Sequence, residues 1–209
     1  MRAECLYKLA DYFEEHSGEI AATITAELGA PVKMSEDWHV SAAAGETRFF
    51  ADCAKDFNYE EKKDGYILRR EPFGIVAGIT PWNYPLDQIT LKILPALAAG
   101  NCVILKPSQM APMTAYHFAK GVEAAGFPKG VFNLVTGRGG EVGNVLAGHP
   151  DIRMISFTGS TSAGREVGRL ALSNIKKCTL ELGGKSAGIV LESADMEAAV
   201  DAVLTDCFM

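Results

Sequence analysis

The feature that most constrains the fold is a regular alternation of short apolar segments and helical segments after residue 100. The segments are a strand CVILK (102–106), a helix TAYHFAKGVEAAG (114–126), a strand VFNLVT (131–136), a helix GEVGNVLAGH (140–149), a strand MISFTG (154–159) and a helix SAGREVGRLALSN (162–174). Strands connected in this way form parallel βαβ units whose sheet is buried on both faces. We therefore predict an α/β fold with a Rossmann-like open parallel sheet and helices on both of its faces. Ligands of such sheets bind at the carboxyl ends of the strands.

The first part of the chain indicates helices that precede this sheet. Leu6, Leu9 and Phe13 recur at helical spacing, and a second apolar series stops before Gly29. A further helix is predicted over about residues 35–56. The run EEKKDG (60–65) is typical of a solvated turn, and the β-branched and aromatic residues of YILRREPFGIVAGIT (66–80) predict strands.

Composition excludes several classes of protein. The 209 residues are 48% hydrophobic with a net charge of -6, which does not suit a nucleic-acid-binding protein. The longest apolar stretch, ILPALAAG, is too short to span a bilayer, and acidic residues interrupt the N-terminal segment where a signal sequence would be apolar. Five scattered cysteines without CxxC spacing, and four histidines without metal-ligand spacing, predict neither disulfides nor a metal site. We expect a soluble protein of the reducing cytoplasm.

Two glycine-containing loops follow predicted strands. The loop 158–164, TGSTSAG, opens a helix whose free N–H groups would suit a phosphate. Arg165 and Glu166 follow it where a P-loop needs Lys and Ser or Thr, which disfavours a kinase or an ATPase. The loop 137–143, GRGGEVG, lacks the third glycine of the usual dinucleotide fingerprint. Each loop taken alone is more typical of an ordinary capped helix start than of a cofactor site, since Ser and Thr are good N-caps.

Three further positions carry candidate chemistry, each with a simpler alternative. Lys106 ends a strand and is a cofactor-binding candidate or a surface lysine. Asn83, held between prolines in ITPWNYPL (79–86), could be a rigid oxyanion donor, or the loop could be anchored by a core tryptophan. Glu181 precedes two glycines in CTLELGGKSAG (178–188) and could be a general base or a solvent-facing side chain.

Together, the motifs PWNYP, LKPSQ, FTGSTSAG and LELGGKS resemble the NAD(P)-dependent aldehyde dehydrogenase superfamily, in the family's order and at about its spacing. The resemblance extends over practically the whole chain and includes ITAELGAP (24–31) and YILRREPFG (66–74). It implies residues 1–60 as the helical part of the cofactor domain, 61–72 as part of an oligomerisation hairpin, 73–190 as the Rossmann-like domain and 191–209 as the start of a catalytic domain.

The resemblance also implies roles for individual residues. Asn83 matches the oxyanion-stabilising amide, and Glu181 matches the general base that activates the hydrolytic water. Lys106 matches the lysine that binds the adenosine ribose, and Gly137 lies on the adenine side. The full set of implied cofactor-binding residues is Ile79, Thr80, Pro81, Trp82, Lys106, Ser108, Gln109, Gly137, Phe157, Gly159, Ser160, Leu182 and Gly183.

The family's reaction implies an aldehyde substrate, a cysteine thioester and hydride transfer to NAD or NADP, without a metal. The nucleophilic cysteine of the family lies further past the glutamate than this chain extends, and Cys207 stands too early for it. We therefore expect a fragment that oxidises no aldehyde by itself, which a steady aldehyde-dependent rise of NAD(P)H would contradict. The family also implies a homo-oligomer.

Alternatives remain at this point. Many family members carry a glutamate where Gln109 stands, and a neutral residue there permits NADP as well as NAD. The missing nucleophile favours a noncatalytic nucleotide-binding module, whereas the presence of both Asn83 and Glu181 disfavours it. A related acyl-phosphate or acyl-CoA reductase is disfavoured by Glu181, since hydrolysis is what requires that base.

Overall fold

The computed structural model describes residues 1–208. Its helices are α1 (Arg2–Glu15), α2 (Ser17–Leu28), α3 (Val32–Met34), α4 (Ser41–Asp56), α5 (Pro85–Ala98), α6 (Met113–Ala124), α7 (Asn144–Gly148), α8 (Thr161–Leu172) and α9 (Met196–Phe208). Two π-helical segments, Ser35–Val40 and Gly139–Gly143, lead directly into α4 and α7. The strands are β1 (Glu60–Lys63), β2 (Tyr66–Arg69), β3 (Ile75–Ile79), β4 (Cys102–Lys106), β5 (Phe132–Leu134), β6 (Ile152–Gly159) and β7 (Lys177–Leu182).

The main sheet has five parallel strands in the order β5-β4-β3-β6-β7. The chain enters at the central strand β3, builds β4 and β5 on one side, and then crosses to build β6 and β7 on the other. The order of strands therefore reverses between β3 and β6, which is the point where open α/β sheets bind their ligands. The predicted fold class is confirmed.

Two apolar cores cover the two faces of the sheet. The larger core joins α1, α2, α4, α5 and α6 to one face, where Val76, Val103 and Leu105 point. The smaller core joins α7 and α8 to the other face, where Ala77 and Ile155 point. The alternation of Val76 and Ala77 between the two cores explains why the strands read as continuous apolar runs.

The prediction of a solvated turn over residues 60–65 is wrong for its first four residues. Glu60–Lys63 forms strand β1, antiparallel to β2, and only Asp64 and Gly65 form the turn. Opposite charges pair across the hairpin, with Glu60 bound to Arg69 at 2.9 Å and Glu61 bound to Arg70 at 2.5 Å. Such cross-strand pairs stabilise a strand that its own sequence does not favour.

The other predicted boundaries agree with the structure to within a few residues. His16 lies in the turn between α1 and α2, whereas His39 and His117 are helical. Within residues 1–208, no helix is both long enough and apolar enough to cross a bilayer.

Candidate functional site

The residues selected from the sequence come together along the carboxyl edge of the sheet. In the strand register, Ile79 pairs with Lys106 on one side and with Phe157 on the other. Glu181 and Leu182 pair with Thr158 and Gly159 on the next strand. The residues at the carboxyl ends of the five strands form a row. This row is roughly 19 Å long, because four inter-strand spacings of about 4.8 Å separate β5 from β7. A ligand that touches both ends must therefore be elongated.

The loop after β3 lies at the reversal point of the sheet. Thr80 is 4% exposed and its N–H donates to the Lys106 carbonyl oxygen at 3.1 Å, so the loop begins in a fixed position. Asn83 and Trp82 are exposed beyond it. The alternative of a core tryptophan is wrong, because Trp82 is half exposed. Tyr84 anchors the loop instead, with its ring centroid 5.1 Å from that of the buried His39.

Lys106 is not a surface lysine. Its side chain is buried at the end of β4, and Nζ donates to the Pro107 carbonyl oxygen at 2.7 Å. Burial lowers the pKa of this ammonium group. The next residues are more accessible: Ser108 is half-buried, with Oγ accepting from the Met110 N–H at 3.1 Å, and Gln109 is exposed. A cationic group and an exposed amide thus lie at the end of β4, next to the outer strand β5.

The loop after β6 is built as a helix start. Ser160 is the N-cap of α8, and its Oγ accepts from the Ala163 N–H at 3.2 Å. Gly159 has no room for a side chain, because a Cβ there would lie 2.6 Å from Cζ of Phe157. The remaining N–H groups of the first turn and the helix dipole make this end of α8 suited to a phosphate.

Two hydroxyl groups at this edge are buried without a partner. Thr80 Oγ1 and Thr158 Oγ1 make no hydrogen bond within the part of the chain that the structure describes. Thr80 directly follows β3, and Thr158 is paired with Glu181. Buried polar atoms are rarely left unsatisfied, so each hydroxyl is available to a polar ligand or to a water molecule.

Not every predicted residue can offer its side chain to that ligand. Ile79 and Phe157 belong to the smaller core, so only their backbone atoms are available at the edge. Gly137 follows β5 at one end of the row, with φ of +147°, and a Cβ there would lie 2.5 Å from Val142 Cγ2. Glu181, Leu182 and Gly183 form the opposite end and are exposed.

Sequence reasoning missed Lys92. This lysine of α5 is 7% exposed and its Nζ donates to Gln88 Oε1 at 2.9 Å. Burial lowers the pKa of Lys92, and the negative charges of Asp87 and Glu181 oppose that shift. Lys92 lines a cavity of about 300 Å³ together with Thr179, which shares a face of β7 with Glu181. The available signal was a lysine among the apolar residues of LKILPALA (91–98).

Metal chemistry has no candidate site among the described residues. No group of three or more His, Cys, Asp or Glu side chains in residues 1–208 could hold an ion jointly. The row instead offers the buried ammonium group of Lys106, the exposed amides of Asn83 and Gln109, the N-terminus of α8 and, at one end, the carboxylate of Glu181. This set can hold an elongated, phosphate-containing ligand and can transfer a proton at one end.

Comparison with known proteins agrees with this geometry. A model of the aldehyde dehydrogenase family matches residues 1–209. A 3-succinoylsemialdehyde-pyridine dehydrogenase from a Pseudomonas species is 46% identical over 200 residues, which cover 95% of this chain and 42% of that protein. The mitochondrial 10-formyltetrahydrofolate dehydrogenase of Mus musculus is 42% identical, over 95% of this chain and 22% of that protein.

Solved structures show the same likeness. Aldehyde dehydrogenase C of Pseudomonas syringae, solved as a C291A mutant with NAD+ and octanal, superimposes with a TM-score of 0.97 at 43% identity. An aldehyde dehydrogenase of Bacillus cereus in complex with NAD+ gives 0.93 at 39% identity. The chain spans 43% and 42% of those two chains, respectively.

Proposed function

The chain belongs to the aldehyde dehydrogenase family, and on that premise we propose that it supplies the NAD(P)-binding part of an enzyme that oxidises an aldehyde to a carboxylic acid. The observation that carries the proposal is the row of loop residues at the carboxyl edge, centred on the reversal point between β3 and β6. Relatives of this fold have been solved with NAD+ bound.

The residues of the row fit a dinucleotide in order along the sheet. The adenine would lie near Gly137, and the adenosine ribose near Lys106, Ser108 and Gln109. The pyrophosphate would lie beside Gly159 and Ser160 at the N-terminus of α8, because the first N–H groups of a helix have no partner within it. Contacts from residues 79–82 and from Leu182 and Gly183 would complete the site toward the nicotinamide. Bound NAD(P)+ supplies an acceptor for the hydride of the aldehyde carbon.

Asn83 and Glu181 would act on the substrate. The amide of Asn83 would donate to the oxygen that becomes negatively charged when a thiolate adds to the aldehyde. Glu181 would accept a proton from the water that attacks the resulting thioester, so that the thiolate leaves and a carboxylic acid forms. Both side chains are exposed at this edge, as contact with substrate requires.

None of the five cysteines is a good candidate for that thiolate. Cys178 is on the same strand as Glu181, but burial raises the pKa of its thiol, which disfavours the reactive form. Cys207, on α9, stands too soon after Glu181 to match the nucleophile that the family resemblance implies. The 209-residue polypeptide is therefore expected to bind the cofactor without oxidising aldehyde.

Three further proposals concern the assembly of the protein, its location and its domain limits. The hairpin β1–β2 exposes Tyr66 and Ile67 and is the proposed surface for homo-oligomer formation. A cytoplasmic location is proposed because Cys5, Cys53, Cys102, Cys178 and Cys207 are all free. The domain limits proposed are 1–60, 61–72, 73–190 and 191–209.

Calorimetric titration with NAD+ and with NADP+ tests the cofactor proposal. Both are expected to bind, since Gln109 places no negative charge beside the 2′-phosphate. Gln109→Glu should weaken NADP+ binding relative to NAD+ by about tenfold, because the added carboxylate repels the phosphate. Gln109→Met removes the amide without adding charge and should leave that ratio near the parent value. Absence of binding by both cofactors at millimolar concentration would overturn the proposal.

A further inference from the structure

Glu27 caps a helix that lies far from it in sequence. Its carboxylate accepts a hydrogen bond from the Met113 N–H, and its Oε2 accepts from the Thr114 N–H at 2.9 Å and from the Thr114 hydroxyl at 2.7 Å. Met113 and Thr114 are the first two residues of α6. The residue at the N-cap position is Pro112, whose side chain has no acceptor. Glu27 thus supplies the cap that the local sequence lacks.

The position of Glu27 in its own helix supports this role. It lies in the last turn of α2, next to the last helical residue Leu28, where the helix dipole disfavours a negative charge. At the start of α6 the same charge is favoured. Thr114 is fully buried and Glu27 is half-buried, so the three bonds are partly shielded from water.

The cap fixes one end of a short loop. Residues 107–112 connect β4 to α6, and they include Ser108 and Gln109. The other end is fixed by Lys106, whose Nζ binds the Pro107 carbonyl oxygen and whose own carbonyl accepts from Thr80. Only three residues separate Gln109 from Met113. A shift of the first turn of α6 would therefore move the loop directly.

We propose that Glu27 is a positioning residue for the ligand's adenosine ribose, acting through the start of α6 on the loop that carries Ser108 and Gln109. The inference rests on the proposed function, because that loop is where the ribose would bind. It also assigns a role to the ITAELGAP segment, which the row at the carboxyl edge does not include.

The test compares binding of NAD+ with binding of its analogue that lacks the adenosine 2′-hydroxyl. The parent chain should prefer NAD+ by about tenfold, the value of one good hydrogen bond to a charged or polar group. The ratio to compare is the affinity for NAD+ divided by the affinity for the analogue. In Glu27→Ala this ratio should fall at least to about a third of the parent value, since the loop no longer holds its donors and acceptors in place. Glu27→Gln keeps one acceptor oxygen and should be intermediate.

A structural control comes from the same pair of helices. Thr23 on α2 bonds to His117 Nε2 on α6 at 2.9 Å, away from the loop. Thr23→Val removes this contact and should lower stability while leaving the ratio unchanged. Hydrogen exchange adds a reading that does not depend on the cofactor: the Met113 and Thr114 amides should exchange faster in Glu27→Ala than in Thr23→Val.

The outcomes separate this inference from the proposed function. A parent chain that binds neither dinucleotide overturns the proposed function and this inference with it. A parent chain that prefers NAD+, with the same ratio in Glu27→Ala, overturns this inference alone. An equal decrease of the ratio in Thr23→Val and in Glu27→Ala overturns this inference as well, because any weakening of the contact between α2 and α6 would then explain the decrease.

Discussion

At the scale of single residues, a half-buried acidic group lies against α5, the helix that follows the loop of Asn83. Glu46 of α4 is hydrogen-bonded to the Thr90 hydroxyl, which also donates to the Asp87 carbonyl oxygen at 2.8 Å. Burial is the main cause that raises the pKa of Glu46 to about 7. The hydrogen bond from Thr90 lowers this pKa, and the nearby charge of Asp87 raises it further. His39 and Lys92 are the other titratable groups of the neighbourhood, each with its pKa lowered by burial and affected by Asp87.

This pKa predicts how stability depends on pH. Glu46 binds its proton more tightly in the folded chain than in the unfolded chain, where its pKa is near 4.5. Protonation of Glu46 therefore stabilises the folded chain fully below pH 4.5, and this contribution is lost as pH rises through about 7. Glu46→Gln should unfold like the parent at pH 4.5 but be more stable at pH 8 by about 1 kcal/mol, after discounting for partial exposure. Urea unfolding at both pH values checks this. Glu192→Gln, in an exposed turn, should show no such difference, and an equal gain in both variants would contradict the assignment.

Residue roles were only partly predictable from the sequence. The motifs identified Asn83, Lys106 and Glu181 because their loops follow strands, and strand ends meet at one edge. Lys92 and Glu27 were missed because their partners are distant in sequence: Glu181 lies eighty-nine positions from Lys92, and the partners of Glu27 lie eighty-six and eighty-seven positions away. Local patterns carry no information on such pairs.

At the scale of elements, helices α1 and α6 approach closely at Gly121. A Cβ at this position would lie 2.7 Å from Cδ1 of Leu9 and 2.7 Å from Cδ1 of Tyr12. Leu9 is fully buried, so it has little room to move. The small residue therefore permits the helix contact that closes the larger core.

Gly121→Ala should lower the free energy of unfolding by about 1–2 kcal/mol, since the overpacking cost exceeds the gain in helix propensity. The matched control is Gly45→Ala on the exposed side of α4, where a Cβ meets nothing within 4 Å. That change should raise stability by about 0.5–1 kcal/mol through propensity alone. Chemical denaturation measures both. Stabilisation by both substitutions would contradict the close approach.

Elements of the main sheet were predictable and the hairpin was not. Strands β3 to β6 lie in apolar runs that identify them, and helices separate them regularly. Strand β1 reads EEKK, which has no strand signal of its own, and its acids form ion pairs with Arg69 and Arg70. Cross-strand pairing of this kind depends on register, which the sequence does not state.

At the scale of the whole molecule, the strand order arranges the site. The main sheet begins with its central strand β3 and then extends outward in two directions. The carboxyl ends of its five strands therefore share one edge, with Gly137 at one end and Glu181 at the other. The two cores fix the sheet from both faces, and only the loops remain free to differ. The chain spans about 42% of the length of several relatives that it matches.

Nitrogen-15 NMR spectra of the 209-residue chain, recorded during titration with NAD+, would show whether NAD(P)+ binds along the carboxyl edge of the sheet. We expect saturable shifts of the amides in residues 80–84, 106–109, 158–161 and 181–183 and at Gly137. Amides at the opposite edge, such as those of Gly74, Asn101 and Lys176, should barely move. Shifts concentrated at that opposite edge, or no saturable shift at all, would contradict it.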